Sequence, residues 1–186
     1  VGRPIPRLAG QTVGIVGLGR IGAAVARKLR GFGLTLLGAD PCAPTPEGVA
    51  RVPLDELLER SDIVTLHCPL DASTRHLIDA TALARMKPTA LLVNTARGGV
   101  VDTAALARAL AEGRLAGAGL DVLETEPMPP GHPLAALDTV VLTPHAAWHS
   151  DGAMRELKRK TAQAVRDVLE GRRPASVVNP GVLDRG

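Results

Sequence analysis

Aromatic side chains are almost missing from this sequence. Its 186 residues contain no tyrosine, one phenylalanine (Phe32) and one tryptophan (Trp148). Proteins that hold single-stranded nucleic acid stack bases on aromatic faces along a basic groove. Here such faces are lacking, and the basic residues behind the net charge of +3 are scattered. A solvated basic surface is expected, and no direct nucleic-acid partner. Cysteine is equally scarce. Cys42 and Cys68 form neither a metal-ligand spacing nor a disulfide framework, so free thiols in a reducing cytoplasm are expected, with no metal. No apolar run approaches the roughly 18 residues of a membrane span, and no membrane partner is expected. No secretory leader is visible, and the chain opens on Val1, as a fragment or processed product does. What remains, 45% hydrophobic and 22% charged, suits a soluble globular chain long enough for one well-buried domain or two small ones.

Residues 1–11, with two prolines and no apolar periodicity, resemble a linker arriving from an upstream segment. Short apolar runs then alternate with helical patterns. Strands are expected at 12–17, 34–39, 62–66, 90–94, 116–122 and 139–143. Helices are expected at 20–30, 54–60, 79–86, 103–112 and 151–170, with Asp79 and Asp102 as N-caps and Gly113 and Gly171 after two of the ends. Such alternation implies right-handed crossovers and an α/β fold: a doubly wound parallel sheet of Rossmann type, strand order 3-2-1-4-5-6.

Ligands of such sheets bind beyond the carboxyl ends of the strands. Each expected strand hands over to residues with chemistry to offer: Gly17-Leu18-Gly19-Arg20-Ile21-Gly22, then Asp40, His67, Asn94 to Arg97, Asp121 with Glu126 close by, and His145. The glycine motif follows a strand and opens a helix, the context in which it cradles a pyrophosphate. Gly17 permits the tight turn, Gly19 the approach of backbone to phosphate, and Gly22 the close packing of helix on strand. Asp40, eighteen residues past Gly22, would accept from the ribose hydroxyls and repel a 2′-phosphate, which favours NAD over NADP. Arg97 could grip a carboxylate through two parallel hydrogen bonds. His145 could give a proton to a ketone oxygen, and Glu126 beside it would favour the imidazolium. Together these describe interconversion of a 2-oxo acid and a 2-hydroxy acid. Taken singly, each has a plain reading: Arg97 in a surface ion pair, Glu126 in a solvated loop, His145 in a core.

The stretches VGIVGLGRIG (13–22), DIVTLHCPL (62–70), LLVNTARGGVVD (91–102), GAGLDVLETEP (117–127) and LTPHAAW (142–148) resemble the NAD-binding domain of D-isomer-specific 2-hydroxyacid dehydrogenases, in order and over nearly the whole chain. The resemblance implies a catalytic trio at Arg97, Glu126 and His145. It also implies cofactor contacts at Gly17 to Gly22, Asp40, Cys68, Pro69, Thr95, Ala96, Arg97, Asp121 and His145, with Asp121 taking the nicotinamide carboxamide. Whole family members carry a substrate domain built mostly from an N-terminal segment, and they dimerise. Residues 12–150 would then be the NAD-binding domain, and 151–186 a helix and tail that cross to the substrate domain. A homodimer is expected of the full-length protein, and poor turnover of this chain alone.

HAAWHS (145–150) most resembles the branch of the C-terminal binding proteins, transcriptional corepressors that keep the dehydrogenase fold. That implies an apolar wall for the substrate side chain at Trp148. It also leaves a second reading open, an NAD(H)-sensing interaction module. Formate dehydrogenase, another relative, has a glutamine where Glu126 stands, which argues against it.

Overall fold

Val13, Ile15, Leu36, Leu37, Val64, Leu66, Leu92 and Leu120, drawn from five of the apolar runs, all lie buried in one seven-stranded parallel sheet. The computed structural model describes residues 7–182, so residues 1–6 of the expected linker and 183–186 of the expected tail lie outside the described residues. The strands are β1 (Thr12–Val16), β2 (Thr35–Ala39), β3 (Val49–Arg51), β4 (Ile63–Leu66), β5 (Leu91–Asn94), β6 (Gly117–Leu120) and β7 (Val140–Leu142). The helices are α1 (Arg20–Leu29), α2 (Leu54–Arg60), α3 (Ala80–Arg85), α4 (Thr103–Ala111) and α5 (Asp151–Leu169).

The sheet runs β3-β2-β1-β4-β5-β6-β7, which is the doubly wound order with one strand added. The third place in the order belongs to Val49–Arg51, a three-residue strand paired with β2 and not foreseen in the sequence. Residues 63–66 therefore form the fourth strand, on the opposite side of β1.

Alternation along β1 shows why both faces are covered. Val13 and Ile15 join Leu18, Ala26 and Leu36 in a smaller apolar cluster that includes α1. Val16 joins the larger cluster, which includes Leu57 and Leu58 of α2, Leu83 of α3 and Leu106 of α4. Gly14 lets α2 approach: a Cβ there would stand 2.3 Å from the Leu57 side chain. Asp79 and Asp102 cap α3 and α4 by accepting from the Ala82 and Ala105 amides at 2.8 Å, as their sequence positions suggested.

Register sets up the functional edge. Val16 pairs with Ala39 and Leu66, Leu66 with Asn94, Asn94 with Leu120, and Leu120 with Leu142. Six strands thus finish level. The residues that follow them, Gly17, Asp40, His67, Thr95, Asp121 and Thr143, stand in a row, spaced by roughly 4.8 Å per strand.

One compact unit ends at His145 and a second begins at Ala146. In the second, Ser150 caps α5 by accepting from the Ala153 amide at 3.0 Å. No residue of α5 is buried, and its Leu157, Val165, Val168 and Leu169 are exposed. Among the described residues, no helix is long and apolar enough to cross a membrane.

Candidate active site

At the head of the row, Gly17 turns the chain with φ near 90°. Any side chain there would collide with the next loop, since a Cβ would lie 2.6 Å from the Cys68 amide nitrogen. Gly22 seats α1 directly on this turn: its Cβ would lie 1.9 Å from the Gly17 carbonyl oxygen. At Gly19, by contrast, a Cβ would meet nothing within 4 Å. Gly19 is the N-cap of α1 and makes no side-chain capping bond, so the amides of the first turn are left for a ligand. The three glycines therefore do separate jobs, and the open one is the one where phosphate would approach.

Two cavities flank the turn. One, of about 890 Å³, is lined by Gly17, Asp40, Cys42, Cys68, Pro69 and Leu77 among others. Asp40 Oδ2 accepts from the Leu18 amide at 2.7 Å, and Oδ1 accepts from the Cys42 and Ala43 amides at 2.8 and 2.6 Å. Partial burial pushes this carboxyl up. The amides of Ala43, Leu18 and Cys42, with the charge of Arg51, outweigh burial and hold it below its ordinary value. Each carboxylate oxygen has more than one acceptor position, so the anchored Asp40 can still take a ribose hydroxyl.

The other cavity, of about 570 Å³, is lined by Arg20, Ile21, His67, Cys68, Pro69, Leu70, Thr95, Ala96 and Arg97. Cys68 and Pro69 border both cavities. Burial pushes the Cys68 thiol up, which leaves it a packing residue and not a nucleophile. His67 was noted in the sequence as a strand-end residue but assigned no role. Its Nε2 lies 3.0 Å from Thr65 Oγ1, and burial pushes it down, toward the neutral ring.

The Arg97 loop is shaped by Asn94, a buried residue noted in the sequence at a strand end but given no role there. Its amide group donates to the Arg97 carbonyl and accepts from the Ala96 amide, each at 3.0 Å. The Arg97 side chain is exposed, with Nη1 donating to the Ala96 carbonyl at 2.7 Å.

The last two strand ends meet at Asp121. Its amide donates to the Asn94 carbonyl of β5, and its carbonyl accepts from the His145 amide, both at 2.9 Å. Its carboxylate accepts from the Thr143 hydroxyl. Thr143, too, went unrecognised in the sequence. His145 adopts φ near 54°, and its Nδ1 lies 2.8 Å from Glu126 Oε2. Glu126 Oε1 accepts from the Leu123 amide at 2.9 Å. The His145 hydrogen bond, followed by that amide, holds the Glu126 carboxyl below its usual range. Glu126 and His145 share a third cavity, of about 410 Å³, with Asp121, Leu123, Met128 and Leu142.

The structure thus brings Glu126 and His145 into contact, with Asp121 beside them. Arg97 lines a separate cavity, after the end of β5, the strand beside β6. Trp148 belongs to the second unit, where it is half-exposed with its ring edge-on to His149 at 5.3 Å. Among the described residues, no three of His, Cys, Asp and Glu cluster as metal ligands would.

Residues 2–147 match the family model described as "D-isomer specific 2-hydroxyacid dehydrogenase, NAD binding domain". The chain belongs to this family. As an NAD-binding domain of that family, it is 49% identical over 178 residues to a glyoxylate reductase from Korarchaeum cryptofilum, covering 94% of this chain and 54% of the relative. It is 42% identical to a D-3-phosphoglycerate dehydrogenase from Methanocaldococcus jannaschii, covering 92% of this chain and 34% of that one. Among solved structures, the NAD-complexed D-isomer specific 2-hydroxyacid dehydrogenase of Lactobacillus delbrueckii ssp. bulgaricus superposes with a TM-score of 0.84. The two are 35% identical, over 94% of this chain and 57% of the other. The chain spans about half the length of the glyoxylate reductases it matches. The open amide turn, the anchored Asp40 and the paired cavities fit the dinucleotide that gives the family domain its name.

Proposed function

We propose that this chain is the cofactor-binding part of an NAD-dependent dehydrogenase that interconverts 2-oxo acids and D-2-hydroxy acids. The observation that carries the reading is the 2.8 Å contact of His145 Nδ1 with Glu126, beside the strand end from which Arg97 extends. Bound along the row of strand ends, the nicotinamide would supply or accept the hydride.

The chain's own residues account for the rest. A carboxylate held ionised at Nδ1 keeps a proton on that nitrogen and fixes the orientation of the ring. Nε2 is then the nitrogen that passes a proton to the ketone oxygen during reduction and recovers it in oxidation. Strand ends two places apart, those of β5 and β7, are separated by roughly 10 Å. The long side chain of Arg97 can span much of that interval to grip the substrate carboxylate, which fixes the ketone against His145. Asp40 favours NAD by repelling a 2′-phosphate. Asp121 would hold the carboxamide end of the nicotinamide, and so select the ring face presented. The free thiols Cys42 and Cys68 suit a reducing compartment, and a homodimer is the assembly expected of the full-length protein.

The test is turnover by the full-length protein with NADH and a panel of 2-oxo acids. His145→Gln is expected to lower kcat by about 10² to 10⁴-fold, whereas Arg97→Lys raises KM. Full kcat in the His145→Gln variant would refute the assignment.

A further inference from the structure

The fold contains a second histidine–carboxylate pair, placed so that it acts on the first. His76 Nε2 lies 2.6 Å from Glu124 Oε1. The other oxygen of that carboxylate, Oε2, accepts from the Thr103 amide at 2.9 Å, in the first turn of α4. His76 in turn donates its amide to the Gly99 carbonyl at 2.8 Å. These bonds close a ring: from Glu124 to His76, to Gly99, along the chain to Thr103, and back to Glu124. The ring encloses the stretch just after Arg97, and Glu124 itself stands two residues before Glu126.

Backbone packing makes the same connection. A Cβ on Gly98 would lie 1.9 Å from the Leu123 carbonyl oxygen and 2.5 Å from the Glu124 nitrogen. The peptide that follows Arg97 is therefore seated against the peptide that leads to Glu126. His76 adopts φ near 50°, a conformation uncommon for residues other than glycine, though least so for histidine, asparagine and aspartate. It is held there from both ends, by its amide and by its ring. Partial burial pushes the Glu124 carboxyl up, and the bonds from His76 and Thr103 more than offset it, so the group is held below its ordinary value.

We infer that His76 and Glu124 form a positioning brace that sets the distance between the Arg97 loop and the Glu126–His145 pair. Neither residue lines the cavity at Arg97 or the one at Glu126 and His145. The inference rests on the function proposed above, in which Arg97 and His145 act on one substrate. Their separation must then match the span from a 2-oxo acid's carboxylate to its ketone. A carboxylate that ties its own loop to Thr103 directly and to Gly99 through His76 fixes that separation. Its geometry resists shear, because the two oxygens are bound in different directions by groups from different elements.

The experiment uses the full-length protein and the variants Glu124→Ala and Glu124→Gln. Glutamine retains a carbonyl acceptor and an amide donor in place of the two carboxylate oxygens. Glu124→Ala is expected to raise KM for the 2-oxo acid about tenfold, as misplacement of a gripping group does, while the Kd for NADH changes less than about twofold. Glu124→Gln should restore KM to within about threefold of the parent. A purely structural role would lower the folded, active fraction and hence the apparent kcat, with KM unmoved; that pattern, or no change in either constant, overturns the inference. Should the parent protein bind NADH yet reduce no 2-oxo acid, the proposed function fails and the brace is judged by amide exchange in the same variants. Faster exchange at Leu123, whose amide is held by Glu126, in Glu124→Ala but not Glu124→Gln supports the brace. Unchanged protection there refutes it.

Discussion

Replacing Gly98 with alanine should separate folding from cofactor binding. The new Cβ would stand 1.9 Å from the Leu123 oxygen, 2.0 Å from the Leu123 carbonyl carbon and 2.5 Å from the Glu124 nitrogen. All three are backbone atoms, so no flexible side chain can swing aside, and the overlap costs at the upper end of the usual overpacking range, about 3 kcal/mol. Alanine also stiffens the unfolded chain, which returns up to about 1 kcal/mol. The net loss of about 2 kcal/mol lowers Tm by roughly 4–8 °C for a chain of this size. None of the three atoms belongs to the Gly17–Gly22 turn, so NADH affinity should fall less than in the control that follows. Gly19→Ala makes the matched control. Its Cβ meets nothing within 4 Å and its φ is an ordinary −62°, so losing glycine at this N-cap costs less than about 1 kcal/mol. The methyl would project where phosphate must approach, and NADH binding should weaken about tenfold, equivalent to 1.4 kcal/mol. Calorimetric melting and NADH fluorescence titration read the two effects. A Gly98→Ala protein as stable as the parent, or a Gly19→Ala protein that binds NADH normally, would show that close approach does not govern these positions.

Two other substitutions test the electrostatics. Asp40→Ala removes the charge proposed to face the ribose and leaves Arg51 nearby, so NADH binding should weaken about tenfold and NADPH binding should strengthen; titration with both cofactors decides, and an unaltered preference counts against the role of Asp40. Asp62 accepts from Lys87 Nζ at 2.7 Å and from the Thr12 amide at 2.8 Å, and these bonds, against partial burial that raises it, hold its carboxyl below the ordinary value. A depressed folded pKa contributes stability that is complete above the unfolded value, about 3.9, and is lost as pH falls through the lower folded one. Asp62→Asn should therefore be less stable than the parent at neutral pH, with the gap narrowing in acid; a gap independent of pH would exclude the linkage.

Much of this architecture was legible in the linear pattern because the signals are local. Asp79 and Asp102 stand where their side chains reach the third amide of a helix, and each apolar run is bounded by a turn residue. Strand β3 was not legible: Val49–Arg51 is too short to show a period, follows a proline-rich stretch, and owes its conformation to β2 alongside. The glycine turn, Asp40 and the Glu126–His145 contact follow from sequence because each residue sits directly at a strand end or in the loop beside it. His76 with Glu124 joins loops 48 residues apart, and no spacing rule connects them. Asn94 and Thr143 look like ordinary strand-end polar residues until their partners, the Arg97 loop and Asp121, come into view.

Asp121, at the end of β6, engages both neighbouring strand ends at once, β5 through its amide and β7 through its carbonyl and its carboxylate. A joint shared in this way allows no piecemeal revision. A longer side chain, or one lacking an acceptor, would unsettle the histidine loop and the threonine behind it together. The adjoining loops remain free to diversify around a hub that cannot, so variety in what such a protein accepts can arise without disturbing how its reactive groups are aligned.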